Sequence, residues 1–430
     1  MLGSTLVALS ASSHAFSENP AGWQWLPANR LGNLISPLAA LLLLLIGWVV
    51  LFTGWWLIRP RADVRNVGVS WSLTLWSMPH LVAPPTLSPD AFLYADLGWI
   101  LHQGGNPYQD GLTSLGGPYA ASVDSLWAGQ GVAYPPLSLL AHWLAVEGAG
   151  LHPYWGMVGQ RVLALFGVAL IAVYLPRLAT LVGASPRWAS WFGVLNPLLL
   201  LLYVGGAHND ALMAGVVVFA LWLAAMPHWA VGRRMVAAAV VIGIAMGFKQ
   251  QAGLAVVGAA GLPMVESLRQ ATLARRLPML AVESAKAAAI AVTVFVATSV
   301  VSGLGFGWLR WVHVMELAET RRMLLPLPSE TLDAIGFAFR ALAVAGFVWV
   351  ATALAHRPMQ VVAVGSLLVP FLAAVWHPWY LVLGLVLLGA VPPSALVERV
   401  LQGDQRMLES ENEPGWDRCE NVEAYRSQLS

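Results

Sequence analysis

The chain of 430 residues has a single cysteine, Cys419, which excludes an internal disulfide and any cysteine-based metal cluster. Charge is scarce too. Only 10% of the residues are charged, against about 25% in a soluble domain, so there is too little polar surface to cover a water-soluble globule of this size. The net charge of +1 lacks the basic excess of a nucleic-acid binder. No internal repeat is visible of the kind that builds transporters from matching halves. What fills the chain instead is 58% apolar side chains, a mean hydropathy of +0.67 and 21 tryptophans, the last being a residue enriched where chains cross a membrane interface. These numbers describe an all-α polytopic integral membrane protein.

Apolar runs of spanning length lie near 35–58, 66–84, 156–182, 188–204, 284–304, 336–355, 358–376 and 378–398. With three shorter segments between 210 and 265, about eleven spans are expected. Residues 1–34 read as an N-terminal segment holding a truncated span, as a start assigned too late would leave, and 399–430 as a polar cytoplasmic tail. Arginines recur in alternate loops: Arg59, Arg61 and Arg65, then Arg177 and Arg187, Arg233 and Arg234, Arg269, Arg275 and Arg276, Arg357, and Arg399 and Arg406. If these loops face the cytoplasm, the others face outward, provided the stretch from Tyr134 to Glu147 dips into the interface without crossing. The outward connection from Pro85 to Tyr134 far exceeds the roughly 15 residues beyond which a loop is usually functional, and its AFLYADLGWIL run predicts a short helix on the membrane surface.

Polar residues beside spans are functional suspects, because a charge at membrane depth costs about 2.5–3.5 kcal/mol. Asp90 follows a proline-rich span end and reads equally as a catalytic carboxylate or as the cap of the next helix. In GGAHNDALM, residues 205–213, His208, Asn209 and Asp210 allow the same two readings, while a metal site is disfavoured because adjacent turn residues cannot converge on one ion. Lys249, between apolar stretches, either snorkels or holds a phosphate as a point charge. Arg321 and Arg322 break the positive-inside bias and suit an anionic lipid head group or a solvated loop. In WHPWY, Trp379 and Tyr380 suit an interfacial belt or stacking on a sugar, and the role of His377 is open.

Six ordered blocks, MPHLVAPPTLSPDAFLYADLGWILHQGGNPY, VAYPPLSLLAHWLA, LNPLLLLLYVGGAHNDALMAG, GFKQQAGLAV, LGFGWL and HPWYLV, resemble the actinobacterial polyprenol-phosphate-mannose-dependent alpha-1,6-mannosyltransferases of lipomannan assembly, which are GT-C glycosyltransferases. The likeness spans roughly residues 30–395. It departs from the family where AFLYADLG stands in place of a Tyr-Ser-Tyr-Ala-Ala-Gln-like run. It implies a GT-C catalytic domain over 35–398 with a long first extracytoplasmic loop, 85–134, and a plasma-membrane location with the site on the outer face. The family's acidic base falls on Asp90, its Asp-Tyr-Gly-Pro-Tyr pattern on Asp90, Tyr94, Gly98, Pro107 and Tyr108, its His-Asn-Asp block on His208, Asn209 and Asp210, and its lysine on Lys249.

The implied reaction is inverting transfer of a mannosyl or related residue from a polyprenyl-phosphate-sugar to a glycan or glycolipid acceptor. Asp90 would take the acceptor proton, while Lys249, Arg161, Arg321 and Arg322 would stabilise the leaving phosphate. Tyr94, Tyr108, His208, Asn209, Asp210, His377, Trp379 and Tyr380 would contact sugar or acceptor. The donor, the acceptor and the bilayer are the expected partners, with no nucleic acid. No cofactor or metal is expected, although a divalent cation stays open because Asp90, Asp96 and Asp210 all face outward. Two other classes share the outward polar loops: a transporter or flippase of a lipid-linked sugar, and a lipid-linked glycan polymerase or ligase.

Overall fold

A computed structural model of the protein describes residues 1–12, 34–60, 68–312, 329–372 and 377–393. Arg61, Arg65, Glu316, Glu319, Arg321, Arg322, Trp376, Arg399, Arg406, Cys419 and the 399–430 tail lie outside these residues. The described residues form helices and connecting loops, with no strand. The chain runs as α1 (Leu2–Ala11), α2 (Pro37–Leu57), α3 (Val69–Val82), α4 (Asp90–His102), α5 (Pro136–Gly148) and α6 (Pro153–Leu181). Two π-helical segments follow, Ala189–Val194 and Leu199–Gly205. Then come α7 (Asp210–Ala225), α8 (Val231–Phe248), α9 (Gln250–Gln270), α10 (Leu273–Val301), α11 (Ser329–Ala353), α12 (Pro358–Leu372) and α13 (Pro378–Leu388).

Among the described residues, six helices are long and apolar enough to cross a membrane: α2, α6, α8, α9, α10 and the Ala334–Ala353 part of α11. A seventh is added if Pro186–Val194 and Leu199–Gly205, bent by 54° about Asn196-Pro197, count as one span. About eleven were expected. The difference lies in short apolar helices such as α7, α12 and α13, which α-helical rise leaves below bilayer thickness. This is a multi-pass membrane protein.

Local chemistry starts the helices. Ser36 Oγ accepts from Ala39 N at 3.2 Å with Pro37 at the first helical position of α2. The His152 ring accepts from Tyr154 N and Trp155 N to open α6. α2 leaves Leu38, Leu45, Ile46 and Val49 exposed, and α11 does the same with Phe337, Leu342 and Trp349, as lipid-facing helices do. α7 is buried nearly all round, the mark of a helix inside the bundle. It crosses α6 at Gly167 and Gly215, where a Cβ on Gly167 would overlap the Ala211 carbonyl and one on Gly215 the Gly167 carbonyl. The loop helix α4 was expected on the membrane surface. Its residues Ala91 to Gly98 are buried against the rest of the protein, and Gly98 lets it close on α5: a Cβ there would stand 2.6 Å from the His142 carbonyl oxygen.

This packing sends polar residues to opposite ends. α6 carries Gln160 and Arg161 near its start and Arg177 near its finish, about 24 Å away at 1.5 Å per residue. α8 begins with Arg233 and Arg234 and delivers Lys249 after its last residue, and α9 begins with Gln250 and Gln251 and reaches Arg269. The residues singled out above therefore collect at one end of the bundle.

Candidate active site

Two backbone arms bring the central pair together. The first leaves α3 and enters α4 through Leu87, whose φ is +68°; the second leaves the π-helical turn at Gly205 and passes through Ala207, whose φ is +56°. Both are left-handed residues without the freedom of glycine, a strain that clusters at functional sites. Thr86 N donates to the Gly205 carbonyl at 3.0 Å and joins the arms. Their ends place Asp90 Oδ2 3.5 Å from His208 Nδ1. The helix cap is Pro89, so Asp90 stands inside the first turn, its N–H donating to Ser88 Oγ at 3.2 Å. His208 is fully buried, whereas the Asp90 side chain is 16% exposed.

That exposure opens onto a cavity of about 460 Å³, within the 300–1,000 Å³ of small-molecule sites. Its walls are mostly apolar. Ser88, Pro89 and Asp90, Asp124, Leu126 and Trp127 of the long loop, and Trp48, Leu198, Leu202, His377, Pro378 and Trp379 line it.

Beside the pair, Lys249 Nζ meets Asp210 Oδ2 at 2.7 Å, and Gln251 Nε2 donates to Asp210 Oδ1 at 3.1 Å. Asp210 is fully buried and Lys249 nearly so. The ammonium also lies 4.3 Å from the Tyr380 ring centroid and 6.0 Å from that of Tyr134. His208, Trp379 and His377 stack face to face at 3.8 and 4.2 Å. Burial, then Lys249 and His377, holds the His208 imidazole well below its usual titration range, so it serves Asp90 as a neutral donor or acceptor.

A hydrogen-bonded chain decides which. Gln160 Nε2 donates to the Gly156 carbonyl, leaving Oε1 to accept from His142 Nδ1 at 2.8 Å. His142, lowered by burial to about 4, is neutral, so its Nε2 accepts from the Ser138 hydroxyl at 3.1 Å. Ser138 Oγ in turn accepts from Asn209 Nδ2, and Asn209 Oδ1 from Tyr94 OH at 3.4 Å. The Tyr94 oxygen, 3.5 Å from His208 Nδ1, is then left to accept, so His208 carries its proton on Nδ1, toward Tyr94 and Asp90. His142→Ala cuts this chain and is expected to slow turnover about 10- to 100-fold, the range for residues that orient metal-bound histidines. His142→Gln, which puts an acceptor near the old Nε2, should restore most of it. Turnover and melting temperature measured together check this, and an unchanged rate in the alanine variant would dismiss the chain.

Other expected residues sit elsewhere. Tyr108 is buried and donates from OH to the Tyr134 carbonyl at 2.8 Å, so it supports the loop under Tyr134. Arg161 is fully buried with its fork on the Leu81 and Gly205 carbonyls, away from the cavity wall. Asp96 does not join Asp90 and Asp210: it is buried in α4 with Oδ2 accepting from Thr113 N at 2.8 Å. Among the described residues no three His, Cys, Asp or Glu side chains group as a metal site. Burial raises the Asp96 carboxyl to about 6, so the folded protein holds this proton to higher pH than the unfolded chain. The stability from this group is full below about pH 4 and is lost as pH rises through about 6. Asp96→Asn is therefore expected to raise the melting temperature near neutral pH by about 1 °C per kcal/mol recovered in a chain of this length, and to leave it unchanged near pH 4. An equal gain at both pH values would remove ionisation as the cause.

Comparison with known proteins fits this geometry into a lineage. A family model described as "Alpha-(1->6)-mannopyranosyltransferase, N-terminal domain" matches residues 1–266. The chain belongs to the alpha-(1->6)-mannopyranosyltransferase family. It is 28% identical over 284 residues to alpha-(1->6)-mannopyranosyltransferase A of Corynebacterium glutamicum, covering 64% of this chain and 56% of that protein. It is 32% identical over 242 residues to the protein of the same name from Mycobacterium tuberculosis, covering 55% and 44%. The chain thus spans about half the length of the curated relatives it matches. Among solved structures it is similar to apo ArnT from Cupriavidus metallidurans, at 18% identity and a TM-score of 0.44 over 80% of this chain and 59% of that one.

The matched region carries Asp90, His208, Asp210 and Lys249, whereas His377, Trp379 and Tyr380 come from beyond it. Ser138, His142, Gln160 and the cavity residues Asp124 and Trp127 escaped the reading of the sequence. Only Ser138 and His142 left a usable signal, two polar side chains spaced i, i+4 on one face of a short apolar helix.

Proposed function

We propose that the protein is an inverting glycosyltransferase that moves a mannosyl or related residue from a polyprenyl-phosphate-sugar to a glycan or glycolipid acceptor, forming an alpha-1,6 linkage at the extracytoplasmic face of the plasma membrane. The observation that carries this reading is Asp90 at the wall of a mostly apolar cavity that reaches Trp48 of a lipid-facing helix. A carboxylate beside a slot open to apolar chains suits a reaction whose donor is a lipid and whose acceptor is an alcohol.

In this reading Asp90 takes the proton of the attacking hydroxyl, held ionised and aimed by the His208 N–H. The acceptor oxygen attacks the anomeric carbon, the bond to the lipid phosphate breaks, and the phosphate leaves with the electron pair. Attack from the face opposite a beta-linked phosphate gives an alpha product. Lys249 supplies positive charge toward the leaving oxygens, with Arg321 and Arg322 as further candidates. Because Asp210 already pairs with Lys249, the lysine acts as a shared rather than a free charge. The His377, Trp379 and Tyr380 rings face the hexose. The test is transfer of labelled mannose from polyprenyl-phosphate-mannose to a short alpha-mannoside, in membranes holding the full chain, with and without chelator. Transfer is expected in both. No transfer from this donor or any other polyprenyl-phosphate sugar would overturn the reading.

A further inference from the structure

Arg161 is a cation whose surroundings do not explain it as one. It is fully buried, and no carboxylate pairs with it among the described residues. A buried charge without a counter-charge is costly, so such a residue is poor evidence of a stabilising role. It also lies off the cavity wall, although its position at the start of a span suggested a contact with a lipid phosphate. Its contacts are two backbone carbonyls: Nη1 donates to Leu81 at 3.4 Å and Nη2 to Gly205 at 3.3 Å, while Nε has no partner.

Those carbonyls belong to the two arms of the site. Leu81 lies at the end of α3, on the arm that leads through the strained Leu87 to Asp90; Gly205 begins the arm that leads through the strained Ala207 to His208. Thr86 N shares the Gly205 carbonyl oxygen with the guanidinium. On the same side, the His80 ring packs so close that a Cβ on Gly205 would stand 3.3 Å from its Nδ1 and from Thr86 Cβ. Left-handed non-glycine residues persist only where their surroundings over-determine them. Here a planar fork carried by α6 reaches both arms, whose ends hold Asp90 and His208 3.5 Å apart.

We propose that Arg161 is a positioning residue that never touches substrate: its guanidinium ties the two arms together and so sets the distance between Asp90 and His208. The inference rests on the transfer reaction proposed above. A lysine keeps the charge and has three N–H donors, but they radiate from one nitrogen, so it cannot hold the Leu81 and Gly205 carbonyls at the spacing that the two outer nitrogens of the planar fork set.

The test uses the full chain in lipid membranes, with Arg161→Gln and Arg161→Lys compared to wild type for kcat, donor KM, the pH profile of kcat, and melting temperature. Both variants are expected to lose about 10²-fold in kcat, the cost of misplacing reacting groups by about 1 Å, with donor KM unchanged. The acid limb of the kcat profile should move to higher pH, because a carboxylate that loses a nearby imidazole N–H is easier to protonate. A raised donor KM at unchanged kcat would overturn the proposal in favour of a phosphate contact. Lowered melting with kcat and the pH profile intact would overturn it in favour of a purely structural role. If Arg161→Gln fails to fold, Arg161→Lys decides alone, since it preserves the charge and most of the volume. Wild type inactive on every polyprenyl-phosphate sugar takes down the reaction and this inference together, whereas an active wild type with unaffected variants takes down this inference only.

Discussion

Asp90→Asn is expected to lower sugar transfer by about 10²- to 10⁴-fold, the contribution of a positioned proton acceptor, without unfolding the protein. Asparagine has the shape of aspartate and keeps an oxygen that can accept from His208 Nδ1, 3.5 Å away in the wild type. Its backbone N–H can still donate to Ser88 Oγ, so the start of α4 is preserved. What it cannot do is accept a proton from the attacking hydroxyl. The measurement is initial transfer rate at saturating donor, with melting temperature as the control for folding. Transfer at the wild-type rate would remove Asp90 from the role of base, and His208, whose buried Nε2 has no partner, would become the next group to test.

Lys249→Met is expected to cost about 3–5 kcal/mol of stability, because it strands a carboxylate in the interior. Asp210 is fully buried, and without the ammonium at 2.7 Å its remaining partner is the Gln251 amide at 3.1 Å. Neutralising both members in a Lys249→Met, Asp210→Asn double variant should return most of the stability, since the uncompensated charge is then gone. Activity should not return, because the positive charge near the leaving phosphate is absent. Thermal melting and transfer rate of the two single variants and the double separate these effects. Recovery of transfer along with stability would show that the pair serves only the fold.

The membrane-spanning class of the chain was legible because hydropathy is a local signal. The aspartate, the His-Asn-Asp block and the lysine stood out because each interrupts an apolar stretch. The pairing was not legible. Asp210 meets Lys249 across 39 positions, and the two arms meet through a backbone hydrogen bond from Thr86 to Gly205, which no side-chain pattern encodes. The contacts of Arg161 were not legible for a related reason: a charge at a span boundary gives no sign that its fork lies on two backbone carbonyls. The burial of the loop helix α4 against α5 was not legible either, because its run shows hydropathy but not the helix it packs on. Hydropathy alone cannot tell a short buried helix such as α7 from a crossing one.

The cavity's border with α2 has a kinetic consequence. Trp48 lines it, while Leu45, Ile46 and Val49 of the same helix are exposed, so a lipid donor would arrive sideways from the bilayer and its spent carrier would leave the same way. Enzyme and donor would then meet in two dimensions. The concentration that matters is donor per area of membrane, and an apparent KM expressed per volume would change whenever inert lipid is added at constant donor.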